Sequence, residues 1–487
     1  MAAKYIMPLL SEKNKLKGIN KKHGMEMHMK RRISVVLIIL LIIAAAGCVN
    51  RPAPPEERPS PRRQTGQPRE DRLTKTDKEA VEENINGYSI EDDLRITGTA
   101  QKDGKGKISA LDRQQSLQMV KKVGSKEMNA VLHEYSSILP DGINDAVQYN
   151  LYSLPFDYFL VTADDGAKVR ENPVPDSAAV ASAGNLDKVS LLQRVESDDY
   201  RGSNIWYRVG FWDGSKISEG YLHSTEGTPR NFRFDRMRDA VNALKQQIAR
   251  GPLNYVSNYK NQNGAPPQKG DAAVDEYGYR VYHSAPAYFQ ADTGGDFRYI
   301  PDGMLVRILD ETDDLYHVDV PVFDGNFYVP KKYVDPDATL SRLNHVVVVD
   351  RTHQNQAAFE VAGDSLSLVS YTLATTGFPG EFSFETTLGS YKAIEKKDRF
   401  EYLKSNSPDI AGYAPFALRF TGGAYIHGVP VAYEEQDGEK VDPGHTEYLH
   451  TIGTFPRSNM CVRNYTSHAE FLYNWMDYQN GAVIVIE

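Results

Sequence analysis

The spacing of apolar and polar residues changes character several times along the chain. Between Leu111 and Leu139, apolar residues recur at helical spacing (Leu117, Val120, Val123, Met128, Val131, Leu132) with a break at Gly124. This predicts one or two helices within a helical region over 76–150. From Tyr158 the period shortens. Val169, Val180, Val189–Leu192, Ile205–Val209 and Gly220–Leu222 read as closely spaced strands, the pattern of a small barrel over 155–226. Residues 231–250 return to helical spacing (Phe232, Met237, Ala240, Val241, Leu244, Ile248), and a polar Asn/Gly/Pro stretch follows, so 230–275 reads as helix and linker. Over 276–337 the short β runs reappear as a second small β module, with Met304–Leu309, Tyr316–Val320 and Phe327–Pro330. Residues 343–487 are strand-rich with one clear helix, Ser467–Tyr478, which predicts an antiparallel β-sandwich with a capping helix. The fold class expected is therefore mainly β and multidomain, with a helical N-terminal segment.

The N-terminus carries an address. Lys30-Arg31-Arg32 is a basic stretch, Ile33–Ile43 is apolar except for Ser34, and Ala45-Ala46-Gly47 precedes Cys48. An apolar run of eleven residues is short for a bilayer, which takes about 20. The pattern resembles a bacterial lipoprotein signal peptide over 1–47, which implies cleavage before Cys48 and lipidation of that cysteine. Met25, Met27 and Met29 all offer starts, so the first residues read as an over-long beginning. From 48 to 75 the chain is rich in proline and charge, with six prolines between Arg51 and Pro68. Such a stretch buries no core and favours polyproline II, reaching about 75 Å at about 3.1 Å per residue. It reads as a tether from the membrane.

Charge narrows the partners. Loss of 1–47 removes nine basic and two acidic residues, leaving 47 and 63 and a formal charge of −16. That argues against nucleic acid as a partner and for a neutral or zwitterionic polymer. The chain has only two cysteines, Cys48 and Cys461, so a disulfide framework is excluded. The order of strands over 155–226 resembles a bacterial SH3-like domain, and 276–337 resembles a more divergent copy. The resemblance implies a spacer or a grip on cell-wall peptide. Trp206, Tyr207 and Trp212 would either line a groove or, more in keeping with aromatic residues, fill the core.

Candidate chemistry gathers near the C-terminus. Tyr425-Ile426-His427-Gly428 reads as a strand end, and Ser458-Asn459-Met460-Cys461-Val462-Arg463 as a turn. A reactive cysteine needs a base, backbone donors for an oxyanion, and a turn that presents the sulfur. These two stretches hold the parts. Ser257-Asn258-Tyr259-Lys260 fits a loose S-x-x-K pattern but lacks partner motifs, so it is read as chance. His445, Glu447 and His450 lack the H-E-x-x-H spacing, and neither a metal nor another cofactor is expected.

Here a family resemblance becomes specific. "VVVVDRTHQNQ", "ATTG", "TTLGSY", "YIHG" and "IGTFPRSNMCVRN" follow the order seen in L,D-transpeptidases of the YkuD family, over about 343–487. The resemblance implies Cys461 as nucleophile, His427 as general base, Ser458 as a supporting turn residue and Arg463 as a motif position. It implies an oxyanion hole from the backbone N–H groups of Met460 and Cys461, with Tyr425, Gly428 and Asn459 supporting. The implied protein is an exported, lipid-anchored enzyme that cross-links peptidoglycan stem peptides through a cysteine thioester. Water in place of the acceptor amine would give an L,D-carboxypeptidase, and a dead site would leave a peptidoglycan-binding lipoprotein.

Two departures from the family stand out. Its usual His-Gly before the cysteine is Asn459-Met460 here. Met460 lacks the glycine's easy access to positive φ, so the turn either uses ordinary torsions or alters the site. His427 and Cys461 are also 34 positions apart, about twice the family's interval, with an acidic insertion over 434–450 that reads as either a lid or a surface excursion. The sequence says nothing of the oligomeric state.

Overall fold

His345-Val-Val-Val-Val-Asp350 forms β1, and all four valines are buried. A strand apolar on both sides belongs in the middle of a covered sheet. β1 lies between β2 (Asn355–Ala362), antiparallel to it, and β9 (Gly481–Ile486), parallel to it. β3 (Ser365–Leu373) pairs outside β2, β4 (Gly389–Lys392) pairs outside β9, and Asn144–Asp145 adds a short parallel edge to β3. A second sheet runs in the order β5 (Glu395–Leu403), β6 (Ile410–Thr421), β7 (Ala424–His427) and β8 (Val462–Arg463). Val347, Val349, Val483 and Val485 from the first sheet share a core with Leu418, Phe420, Ile426 and Val462 from the second. The protein, seen in a computed structural model described for residues 106–123, 130–269, 272–323, 325–380, 383–403 and 409–487, is mainly β with few helices. The expected signal peptide, Cys48 and the tether lie outside these residues.

The opposite face of β1 and β9 is apolar too, and needs a cover. Val346, Val348, Ala482 and Ile484 pack with Phe234, Met237, Val241 and Leu244 of α2 (Phe234–Ala249). The segment expected to be a connector is thus a structural layer of the sandwich. α3 (Thr466–Trp475) is the expected capping helix. The Glu447 carboxylate accepts a hydrogen bond from the Ser467 N–H at 2.9 Å, placing negative charge at the positive end of α3.

The region 76–150 departs from expectation. Among its described residues only α1 (Arg113–Val123) is helical. Ala130–Glu134 is instead a strand, antiparallel to Lys188–Tyr200, with all five side chains exposed. Val131 and Leu132 had suggested a helical stripe. The free edge of a long neighbouring strand offers their backbone a ladder, and tertiary pairing overrides the local period. That neighbour belongs to an antiparallel sheet built from Asp157–Val161 through Gly227–Asn231. Trp206 and Tyr207 are buried in it, and Trp212 is exposed.

The second module is larger than its sequence bounds. Its seven strands run from Leu253–Val256 to Val334–Leu340. Its apolar side chains, including Val256, Tyr299, Met304, Val318 and Phe327, belong to the same core cluster as the inner face of the sandwich. Gly303 (φ +83°) sits where a Cβ would collide with the Phe420 carbonyl of β6, so glycine permits the close approach of the two parts. Beside it, Asp302 and Arg419 of β6 form an ion pair at 2.6 Å, with side chains 3% and 9% exposed. The other Asp302 oxygen accepts the Asn258 N–H at 2.8 Å.

A buried pair broken on one side leaves an uncompensated charge. Arg419→Met is expected to lower unfolding free energy by about 3–5 kcal/mol in urea titrations, and adding Asp302→Asn to restore part of that loss.

Candidate active site

β7 and β8 are short, and their parallel pairing fixes the site. Ile426 lies opposite Val462, and His427 opposite Arg463. Side chains alternate along a strand, so Tyr425 and His427 share one face of this pair with Cys461 and Arg463. Ile426, Met460 and Val462 point to the inner core. Cys461 lies on the outer side with Phe400, Ala414, Ala417 and Tyr425. Tyr425 stacks on Phe400 with ring centres 4.2 Å apart, and its hydroxyl receives a hydrogen bond from Lys397 Nζ at 3.1 Å.

The turn before β8 is held by the motif stretches upstream. Ser458 N–H donates to the Thr376 carbonyl at 3.1 Å, and Phe378 N–H donates back to the Ser458 carbonyl at 3.1 Å. Thr376 is in turn gripped by Gln354, whose Nε2 donates to Thr376 Oγ1 at 2.7 Å. Thr386 Oγ1 accepts the Gly377 N–H and donates to the Met460 carbonyl, both at 2.8 Å. Asn459 Oδ1 accepts the Phe384 N–H at 3.0 Å, and the Ser458 hydroxyl donates to the Cys461 carbonyl. Arg463 exchanges backbone hydrogen bonds with Thr375 at 2.9 and 3.0 Å. Gln354, Gly377 and Thr386 fall inside sequence motifs noted above, but their support of the turn is visible only in three dimensions.

Met460 adopts the positive-φ conformation without being glycine, with φ +64°. Its side chain is buried in the main core. Its N–H donates to the Phe384 carbonyl at 2.9 Å, and the Cys461 N–H turns back to the Asn459 carbonyl at 2.8 Å. Both backbone donors expected for an oxyanion are therefore engaged within the protein, and using them requires the turn to shift. A glycine stands on the facing segment. A Cβ on Gly377 would lie 2.5 Å from the Met460 nitrogen and would collide with the Phe384 carbonyl oxygen.

Burial governs the titration of Cys461 and His427. Cys461 is 7% exposed, and desolvation pushes its thiol up to about 11; the Tyr425 backbone and the Arg280 charge pull weakly the other way. The thiol donates toward the Gly423 carbonyl at 3.8 Å. His427 is buried as well, and desolvation lowers its imidazole to about 4 against a smaller raising effect from Gly428. His427 Nδ1 lies 2.6 Å from the Gly428 carbonyl. A carbonyl only accepts, so Nδ1 carries the proton and Nε2 keeps a lone pair, the form a general base needs. Gly428 N–H is fixed to the Pro415 carbonyl at 2.9 Å, and the His427 carbonyl accepts the Asn464 N–H at 2.9 Å. The resting pair is thus neutral thiol and neutral imidazole.

The insertion over 434–450 has two halves. Glu434–Gln436 and Glu439–Val441 form an exposed hairpin. Asp442 ties its base to Arg399 at 2.8 Å and to the Tyr413 hydroxyl at 2.9 Å. Beyond it the chain is an anchored strap: Glu447 on α3, Leu449 buried, and His450 Nε2 3.2 Å from the Asn185 carbonyl. His445 packs edge-on against Tyr413 and Phe416. Among the described residues no group of three or more His, Cys, Asp or Glu side chains could hold a metal ion.

Comparison with known proteins bears on the same stretch. Residues 344–486 match YkuD, the L,D-transpeptidase catalytic domain. No curated protein matches the chain. Similar solved structures include a fused Zn-dependent amidase/peptidase/peptidoglycan-binding domain-containing protein from Clostridium acetobutylicum (12% identity, TM-score 0.21, covering 29% of this chain). The chain spans about half of that protein's length, 52%. An L,D-transpeptidase from Mycobacterium smegmatis aligns at 15% identity and TM-score 0.24, over 48% of this chain and 100% of that one. L,D-transpeptidase 3 from Mycobacterium tuberculosis aligns at 17% identity and TM-score 0.23, over 38% and 79%. The matched residues thus include β1 to β9, α3 and the whole cysteine turn, and leave out the Asn144–Asp145 edge and α2.

Two measurements follow from this geometry. Gly377→Ala is expected to push the cysteine turn outward, and a displacement on the order of 1 Å would slow acylation of Cys461 about 100-fold, read by intact mass against time. Buried histidines set the acid response. His427 is held at about 4 and His468, also by desolvation, at about 3. The unfolded chain binds their protons first, so stability is fully present above pH 6.5 and falls as pH drops toward 4. Each contributes a loss of about 1.4 kcal/mol per pH unit within that window, seen as falling urea midpoints.

Proposed function

We propose that the protein is a peptidoglycan L,D-transpeptidase working through a Cys461 thioester. The observation that carries the reading is the placement of Cys461 and His427 on one face of the β7–β8 pair, inside a stretch that matches the YkuD catalytic domain. His427 Nε2 takes the thiol proton as Sγ attacks the carbonyl of an L,D peptide bond. The S–C bond forms, the C–N bond to the terminal D-residue breaks, and the proton passes from the imidazole to the departing amine. An amine of a second stem peptide then attacks the thioester and releases the thiol, forming a cross-link. Water at that step would give carboxypeptidase chemistry from the same residues.

Ser458 and Asn459 hold the turn, Tyr425 and Gly428 frame His427, and Arg463 locks β8 to Thr375. Shifting of the turn frees the Met460 and Cys461 N–H groups for the oxyanion as the tetrahedral centre forms. Export and lipidation at Cys48, with the proline-rich stretch as tether and the two β modules as SH3-like wall-facing parts, put the site beside its polymer.

Incubation with a carbapenem is expected to give a stoichiometric covalent adduct by intact mass on the wild-type protein and none on Cys461→Ala. His427→Gln is expected to slow adduct formation at least about 100-fold. A wild-type protein that stays unmodified overturns the reading.

A further inference from the structure

The cysteine turn is walled on one side by residues that lie outside the YkuD stretch. Gly422-Gly423 joins β6 to β7, and the Gly423 carbonyl is the acceptor for the Cys461 thiol. Against Gly422 sits the second β module: a Cβ there would collide with Arg280 Nη2 and lie 3.2 Å from the His283 Cβ. Arg280 is 3% exposed. Its Cζ stands 5.8 Å from the centre of the Phe384 ring, and the Phe384 carbonyl holds the Met460 N–H. The guanidinium therefore packs against the Gly422 backbone and faces the ring of Phe384, residues of the two segments that fix the cysteine.

The support behind Arg280 is rigid. Its carbonyl accepts the Ser284 hydroxyl at 2.7 Å. His283 has φ +66°, and its Nδ1 accepts the Lys260 N–H at 2.7 Å while its own N–H is held by Asn261 Oδ1 at 3.0 Å. Strained torsions of this kind cost about 1–3 kcal/mol and persist where the surroundings over-determine them. Arg419 pairs with Asp302 at 2.6 Å and Glu395 at 2.9 Å, Lys397 bonds the Tyr425 hydroxyl, and burial keeps His283 and His427 uncharged. The charge of Arg280 also reaches Asp302 and His283, and it favours the ionised form of Cys461.

We infer that Arg280 is a positioning residue of the acyl-transfer site: a fixed cation, supplied by the second β module, that stabilises the Cys461 thiolate and steadies the turn bearing it. The inference rests on the acyl-transfer reading for its role, and on the seat of the guanidinium against Gly422, next to the Gly423 carbonyl that accepts the thiol, for its effect on Cys461. Once the proton passes to His427, a buried thiolate has few partners, and a cation fixed beforehand lowers the cost of forming it without reorganisation. The module would then be part of the reaction site as well as a spacer.

The test uses the full chain and reads the Cys461 peptide by mass, so that Cys48 does not interfere. Alkylation by iodoacetamide is followed from pH 6 to 10 for wild type, Arg280→Gln and Arg280→Lys, alongside carbapenem acylation. Arg280→Gln is expected to slow both reactions about tenfold at a given pH, equivalent to a thiol pKa about one unit higher, with Arg280→Lys recovering most of the rate. Superposable pH profiles for wild type and Arg280→Gln would overturn the inference. Where Arg280→Gln does not fold, Gly422→Ala, which displaces the guanidinium without removing its charge, decides by the same profile. Absence of any carbapenem adduct on wild type would overturn the transpeptidase reading instead, and the alkylation profiles would still decide the influence of Arg280 on the thiol.

Discussion

The cysteine turn rests on a torsion that an ordinary side chain resists. A non-glycine residue in the left-handed region costs about 1–2 kcal/mol. Met460 accepts that cost at φ +64° and sends its side chain into the main core, where burial of a methionine contributes about 1.5–3 kcal/mol. The second quantity offsets the first, so the residue that strains the turn also anchors it. The facing Gly377 supplies the space, since the turn backbone approaches it too closely for any Cβ. From this arrangement follow the exit of Cys461 onto the outer face and the register of β8 on β7, with His427 opposite Arg463.

Burial sets the electrostatics of the site and opposes ionisation of both partners. Desolvation raises the thiol to about 11 and lowers the imidazole to about 4, so an ion pair is disfavoured at rest. The tautomer of His427 is fixed by the Gly428 carbonyl, which leaves Nε2 with its lone pair. A thiol held in this way also resists adventitious oxidation, because the thiolate is the reactive species.

Much of this was legible in the sequence, for physical reasons. The valine run of β1 could only be a covered strand, and α2 showed its apolar stripe. The Tyr425–Gly428 and Ser458–Arg463 stretches were legible as a strand end and a turn, and the structure brings them together through the pairing of β7 with β8. What stayed hidden depends on contacts across long separations. The strand at Ala130–Glu134 imitates a helix because its apolar residues answer to a backbone edge and not to a core. The conformation of Met460 could not be read, since its torsion is settled by Gly377 and Phe384, some 80 positions upstream. Arg280 carried no motif at all. The insertion over 434–450 was ambiguous because it is half hairpin and half strap.

The core shared between the second module and the sandwich has a mechanical meaning. Close-packed interiors transmit strain and do not slide. Val256, Met304 and Phe327 interdigitate with the same cluster as Val347, Phe420 and Val462, and Gly303 rests on the Phe420 carbonyl. Among the described residues the two parts share one continuous core. A force on either part is therefore shared by the other, and the outer face that carries Cys461 keeps the attitude to the second module that folding gave it.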